Sequence, residues 1–182
     1  MKPERQEKSR AVLEQRKRGN IRQVTFGWHE IVDQGELAQM ADRFFGTFFP
    51  NDERRVPLPY ITWDVSHASS QANTPEQGAC IDDLHRKCLP AMKSVGSISE
   101  WLVLENINHP WYRLNLEETP VHIERWPVDL LPWADPCYLV ASNFSCGFIA
   151  DLDRTISVFG QPLIDAMQLN LPSIFTHVIE FG

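Results

Sequence analysis

The sequence predicts an α+β domain in which an antiparallel sheet of about five to six strands has helices packed mainly on one face. Two observations lead to this expectation. The first half of the chain contains two amphipathic helical patterns, whereas the second half contains short strand-like segments at short intervals. Connections this short join antiparallel neighbours, because a parallel crossover needs a dozen or more residues. Helices that precede a run of strands are typical of the α+β class.

The first helix is predicted to begin at Asp33 and to end before Pro50. Asp33 and Glu36 have the spacing of a capping box, with Asp in place of the usual Ser or Thr. The apolar residues that follow recur at helical spacing and share one face. They are Leu37, Met40, Ala41, Phe44, Phe45, Phe48 and Phe49. A stripe this regular indicates a helix that packs against the core.

A second helix is predicted to start at Thr74 and Pro75, after a polar loop over residues 66–73. Pro90 is expected to end this helix or to kink it. The inner stripe of the helix is formed by Ile81, Leu84, Cys88 and Met92.

The strand-like segments are distributed along the whole chain. In order they are 21–28, 58–65, 100–106, 111–116, 122–128, 137–142, 146–150 and 154–159. In the last segment Thr and Ser alternate with Ile and Val, which is the pattern of a strand with one face towards solvent. After Gly160, Pro162 predicts a short final helix.

The charge is unevenly distributed along the 182 residues. Residues 1–20 are predicted to form a basic N-terminal helix or flexible arm, and residues 21–182 a single α+β domain. Residues 1–22 carry eight Lys and Arg against three Glu, whereas the other 160 carry nine basic and 21 acidic groups, a net −12. Such a body repels nucleic acid and anionic membranes and attracts a basic partner, whereas a role in solubility alone would explain the same excess equally well.

The sequence predicts a cytoplasmic protein. The N-terminus has no apolar run of the kind that a secretory signal contains, and no segment approaches the length of a membrane span. Reduced thiols are therefore expected for the four cysteines, which are Cys80, Cys88, Cys137 and Cys146.

The stretch "CIDDLHRKC" (80–88) contains residue types that bind zinc. Helical geometry places Cys88 in the middle of the apolar stripe and His85 at its border, and no second ligand pair follows. The same burial argues against Cys88 as a nucleophile with His85 as its base. Asp151 and Asp153 resemble a D-x-D cation site, although a polar turn explains them more simply. No catalytic residue, metal site or cofactor is predicted.

Three segments together carry a resemblance to a known family. They are "HPWYRLN" (109–115), "DPCYLVASNFSCGFI" (135–149) and "DRTISVFGQPLIDA" (153–166). Over about residues 109–167 the chain resembles a bacterial domain family of unknown function, in which a "VFG" strand leads into a short helix. No catalytic residues are established for that family.

The chain as a whole resembles the immunity proteins of bacterial toxin systems, which are small, acidic, poor in catalytic motifs and cytoplasmic. This resemblance implies a non-enzymatic protein that neutralises a cognate toxin by occluding it, with a basic toxin domain as the partner. The predicted contact residues are exposed carboxylates: Asp82, Asp83, Glu117, Glu118, Asp129, Asp151 and Asp153. Two alternatives stay open. One is a small enzyme with a site assembled from dispersed His and carboxylates, and the other is a nucleic-acid regulator that uses the basic arm.

Overall fold

The computed structural model describes residues 27–69, 74–96, 98–104, 111–119 and 136–182. Within these ranges the chain forms one eight-stranded antiparallel sheet and four α-helices. The fold is therefore α+β, as the sequence predicts, but the sheet has eight strands instead of five to six. The two additional strands lie at the two edges of the sheet, where a strand pairs with one neighbour.

The strands, β1 to β8 in chain order, are Trp28–Glu30, Tyr60–Asp64, Glu100–Leu104, Tyr112–Asn115, Cys137–Ala141, Gly147–Asp151, Thr155–Phe159 and His177–Phe181. Their order across the sheet is β1-β4-β3-β5-β6-β7-β2-β8. Strands β5, β6 and β7 are neighbours both in the sequence and in the sheet, as are β3 and β4, whereas β2 lies between two strands from the C-terminal part of the chain. Among the described strands β8 forms one edge and pairs with β2 alone, with a register shift between Thr62 and Trp63.

The helices, α1 to α4 in chain order, are Gln34–Phe48, Ser66–Ser69, Pro75–Ser94 and Gln161–Leu169. The predicted loop over 66–73 is wrong at its start, where α2 forms one helical turn; residues 70–73 lie outside the described ranges. Pro90 does not end α3, which continues to Ser94. Pro90 is exposed.

The predicted start of α1 is confirmed. The backbone N–H of Glu36 donates to the Asp33 side chain at 2.8 Å, which satisfies one of the helix's free N–H groups. The predicted arm at 1–20 and the predicted strand at 122–128 lie outside the described residues, as do residues 21–26 of the predicted strand 21–28. The first described strand begins at Trp28, the last residue of that predicted strand.

Alternation along the strands produces two cores, one on each face of the sheet. In β3, Trp101 and Val103 belong to the first core, whereas Leu102 and Leu104 belong to the second. Helices α2, α3 and α4 cover the first face, on which α3 packs against α4. Helix α1 lies on the second face. Most helices thus share one face, and α1 is the exception.

Aromatic contacts and one arginine hold α1 on the second face. The ring of Phe44 meets that of Tyr138 edge-on, with centroids 4.8 Å apart, and the ring of Phe48 meets that of Phe159 at 5.7 Å. The Arg43 guanidinium donates to the carbonyl oxygens of Ser142 and Asn143 in the β5–β6 turn. Most of the apolar stripe predicted for this helix therefore packs on the core, with Phe44 and Phe48 buried, but Phe45 is 43% exposed and does not belong to it.

Gly160 joins β7 to α4 in a conformation that other residues rarely adopt. Its φ is +86°, and a Cβ atom at this position would collide with Cys146 and with the carbonyl oxygen of Ser145. Glycine is therefore required where the "VFG" strand turns into the helix.

Candidate functional site: a polar groove beside an exposed edge strand

The second face of the sheet is covered only in part, and an open groove of about 510 Å³ lies over the uncovered part. Strands β2 and β7 form its floor, the segment 54–58 forms one wall, and Ile179 and Glu180 of β8 form the other. We call this feature the β2 groove. Its volume lies within the range of small-ligand pockets, about 300–1,000 Å³.

The floor of the β2 groove carries buried hydroxyl groups. The side-chain oxygens of Thr62 and Ser157 are 2.8 Å apart, and both residues are buried. Thr155, also buried, donates its hydroxyl hydrogen to Asp153 at 2.5 Å. The alternation of Thr and Ser with Ile and Val in β7 was expected to mark a solvent-facing side. That expectation is wrong, because Thr155 and Ser157 are both buried at the base of the groove.

The hydroxyl pair has hydrogen-bonding capacity left over. Each hydroxyl has one hydrogen to donate, and a single bond between Thr62 and Ser157 uses only one of the two. No other side-chain or backbone partner contacts either oxygen among the described residues. One donor hydrogen therefore remains at the base of the groove.

The wall of the β2 groove contains two arginines in different environments. Arg54 forms an ion pair with Asp151. Burial raises the pKa of the Tyr138 phenol, and the nearby Arg54 partly offsets this effect. The backbone N–H of Arg55 donates to the carbonyl oxygen of Phe48 at 2.7 Å, which anchors the wall to the end of α1. The Arg55 guanidinium has no ion pair with any described residue.

The opposite side of the groove is the edge strand β8, whose five residues are all exposed. The Tyr60 hydroxyl donates to a carboxylate oxygen of Glu180 at 2.8 Å, and this hydrogen bond raises the pKa of Tyr60 above its usual value. Phe181 is 81% exposed and Ile179 is 50% exposed. An exposed apolar strand with a free edge is uncommon in soluble proteins.

Asp83 fixes the segment that leads into β8. Its carboxylate accepts from the backbone N–H of Ser173 at 2.7 Å and forms ion pairs with Arg86 and Lys87. Burial alone would raise the pKa of Asp83, but these donors outweigh it and hold the pKa well below its usual range. The Lys87 ammonium also donates to the carbonyl oxygen of Leu171. Asp83 was predicted to be an exposed contact residue, but it is buried and ties α3 to the chain before β8.

The other predicted contact residues do not form one surface. Asp82 is exposed on α3, and Asp129 lies outside the described residues. Glu117 and Glu118 follow β4, whereas Asp151 is the last residue of β6 and Asp153 lies in the β6–β7 turn. The strand directions place these two pairs at opposite ends of the sheet.

Asp153 lines the β2 groove, and Asp151 holds Arg54 there. Of the predicted set, these two carboxylates therefore lie at the candidate site.

The cysteines on α3 are placed as the helical stripe predicts. Cys88 is fully buried, and burial strongly raises the pKa of its thiol, so that the reactive thiolate is disfavoured. Cys80 is partly exposed. Among the described residues, no group of three or more His, Cys, Asp or Glu is arranged to hold a metal ion. None of the described helices combines the length and apolar character that a membrane crossing needs.

The chemistry that the β2 groove offers is hydrogen bonding, ion pairing and apolar contact. Within the described residues, the Ser157 hydroxyl contacts another hydroxyl and no His or carboxylate. Sequence reasoning missed most of this site, namely Arg54, Arg55, Tyr60, Thr62, Ser157 and Glu180. A signal was present in "YITWD" and "TISVF", where polar residues interrupt strands that are otherwise apolar.

A family model described as "Protein of unknown function (DUF2716)" matches residues 43–164. The chain belongs to this family. The match begins well before the segment 109–167 that carries the sequence resemblance. It includes the floor of the β2 groove and the wall formed by residues 54–58. Strand β8 lies beyond it. No curated protein and no solved structure matches the chain significantly.

Proposed function

We propose that this DUF2716 protein is a non-enzymatic immunity protein that neutralises a bacterial toxin by occluding it, and that its partner is a basic toxin domain. The observation that carries the proposal is the exposed apolar strand β8 beside the carboxylates of Glu180 and Asp153. Apolar surface rimmed by polar groups is typical of protein-interaction sites.

The charge of the body supports a basic partner. After residue 22 the chain carries 21 acidic and nine basic residues. Such an excess accelerates association with a positively charged protein and repels nucleic acid. Occlusion needs a stable scaffold and a complementary surface, and the two packed cores supply the scaffold.

The test is co-expression of the full chain with the toxin candidate that a neighbouring reading frame encodes. We expect the chain to restore growth and to co-purify with the candidate, with an association rate that falls as salt concentration rises. Charge reversal of Glu180 and Asp153 to Lys should slow association, whereas Glu76→Lys on the exposed start of α3 should have a smaller effect. No protection and no complex with any neighbouring product would refute the proposal.

A second candidate function is a small enzyme, because the volume of the β2 groove suits a small substrate. Its site would use the Thr62 and Ser157 hydroxyls on the groove floor. Turnover of an ester, glycoside or phosphate substrate that Ser157→Ala abolishes and Leu152→Ala preserves would favour this function. Equal rates in both variants would exclude this site as the source of the turnover.

A further inference from the structure

We infer that β8 is the docking edge for an extended segment of the partner, which adds to the sheet as a ninth strand and alternates basic with apolar side chains. The inference rests on the proposed function only in taking the partner to be a protein. Three features of β8 carry it: its free backbone groups, the different chemistry of its two sides, and its lack of protection.

The free backbone groups follow from the pairing of β8 with β2. Tyr60 and Gly182 exchange both backbone hydrogen bonds, at 3.0 and 3.1 Å. The next pair along the strands is Ile61 and Phe181. Because hydrogen-bonded and non-hydrogen-bonded pairs alternate in antiparallel sheets, Phe181 directs its N–H and C=O away from β2. These groups meet no ninth strand among the described residues, and they are the ones that an added strand would pair with.

The two sides of β8 favour different side chains in the added strand. Glu180 is opposite Thr62 and lies on the side of the β2 groove. Phe181 is opposite Ile61, and Val178 is opposite Trp63, so both lie on the side of the first core. Cross-strand neighbours of opposite charge stabilise a sheet, as do apolar neighbours. The added strand should therefore present Lys or Arg on the groove side and apolar residues on the other.

The protection that soluble proteins usually give an edge strand is weak here. Charged side chains and bulges normally discourage pairing at an edge. The single carboxylate of β8, on Glu180, is held against the Tyr60 hydroxyl, and the register shift lies between Thr62 and Trp63, away from Phe181. Among the described residues, Phe181 therefore keeps its backbone N–H and C=O accessible beside the negative charge of Glu180, which suits a basic segment.

The test measures binding of short synthetic peptides to the full chain by calorimetry. A peptide that alternates lysine with valine should bind. A peptide of the same composition with its lysines and valines segregated should bind more weakly, as should an alternating glutamate–valine peptide. Amide hydrogen exchange should show protection of the Phe181 N–H when the alternating peptide is bound.

A pair of variants separates strand addition from simple charge attraction. Phe181→Pro removes the outward N–H without removing a bond to β2, and proline is tolerated on edge strands where that group faces outward. This variant should bind the alternating peptide with about tenfold lower affinity, which is the equivalent of one backbone hydrogen bond. Phe181→Ala keeps the N–H and should weaken binding less. Glu180→Lys should shift the preference to the glutamate–valine peptide, whereas Glu76→Lys should leave it unchanged.

The inference is overturned by any of four results: no binding, equal binding of the segregated peptide, equal affinities of the two Phe181 variants, or self-association that Phe181→Pro abolishes. The last result would assign the edge to a second copy of the chain. Toxin neutralisation that survives Phe181→Pro would reject this edge and leave the immunity function intact. Specific binding of the alternating peptide without any toxin partner would reject the immunity function and keep β8 as a docking edge.

Discussion

The first and second faces of the sheet are built from the same strands but are covered to different extents. Helices α3 and α4 cover the first face, whose core extends from Trp101 through Phe148 to Val158. On the second face, the phenylalanine rings of α1 pack on Tyr138 of β5 and Phe159 of β7, and the region over β2 and residues 155–157 of β7 stays open as the β2 groove. The comparison predicts that stability is concentrated on the first face, and it leaves the open part of the second face as the candidate site.

The largest expected effect comes from removing a large side chain of the first core. Phe148→Ala should lower the free energy of unfolding by about 3–5 kcal/mol, because it leaves a cavity among closely packed residues. Leu152→Ala in the following turn is the control, since Leu152 is exposed and its loss should change stability by less than about 0.5 kcal/mol. Urea denaturation measures both variants. Equal effects would contradict the burial of Phe148 in the first core.

The second prediction concerns the link from α3 to the chain before β8. Asp83→Asn should lower the free energy of unfolding by about 1–3 kcal/mol at neutral pH, because charge-assisted hydrogen bonds to a buried carboxylate are lost. Asp82→Asn on the exposed side of α3 should change it by less than about 0.5 kcal/mol.

The contribution of Asp83 also depends on pH. Its folded-state pKa is lowered, so the stabilisation is complete above the unfolded pKa of about 3.9 and is lost as pH falls below that value. Urea denaturation should therefore show a smaller difference between wild type and Asp83→Asn at pH 3 than at pH 7. A difference independent of pH would mean that the carboxylate charge is not what holds the segment.

These two predictions rest on features that the sequence revealed to different degrees. The Asp33 cap, the phenylalanine stripe and the strands over 137–159 could be predicted because each pattern is local in the sequence. The inner stripe of α3 was also correct, since Leu84, Cys88 and Met92 are buried. Strand β8 was missed because all five of its residues are exposed. Its sequence therefore does not reflect an alternation of buried and exposed positions.

The site could not be predicted because its parts are distant in the sequence. Thr62 and Ser157 are 95 residues apart, and Tyr60 and Glu180 are 120 residues apart. Local periodicity gives no information on which strands become neighbours. Acidity selected Asp151 and Asp153, which lie at the β2 groove, but it also selected Asp83, whose buried contacts only the tertiary structure reveals.

The third prediction concerns the floor of the β2 groove. Thr62→Val or Ser157→Ala should each lower the free energy of unfolding by about 1–2 kcal/mol, because the remaining hydroxyl loses its buried partner. The double variant should be less destabilised than the sum of the two single variants, and a double-mutant cycle measures this coupling. Additive and negligible effects would show that solvent reaches the floor, and the contrast with the first core would then become sharper.

The smallest expected effect on stability comes from Glu180, in the wall of the β2 groove that β8 forms. Glu180→Gln should lower the pKa of Tyr60 towards its usual value of 10.0, because the carboxylate raises this pKa through its hydrogen bond. Stability should change by less than about 0.5 kcal/mol, since the pair is exposed. Spectrophotometric titration of the tyrosines measures the shift, and Tyr60→Phe identifies the signal. An unchanged titration would place Glu180 outside contact with Tyr60 in solution.

The position of β2 between β7 and β8 also constrains how the polypeptide matures on the ribosome. The hairpins of β5, β6 and β7 can close soon after they emerge, because each partner follows within a few residues. The β2 segment must wait until its partners, 95 and 120 residues further along, have been translated. During that delay Trp63 is without its final neighbours, so nascent chains are most vulnerable to aggregation or chaperone capture at β2.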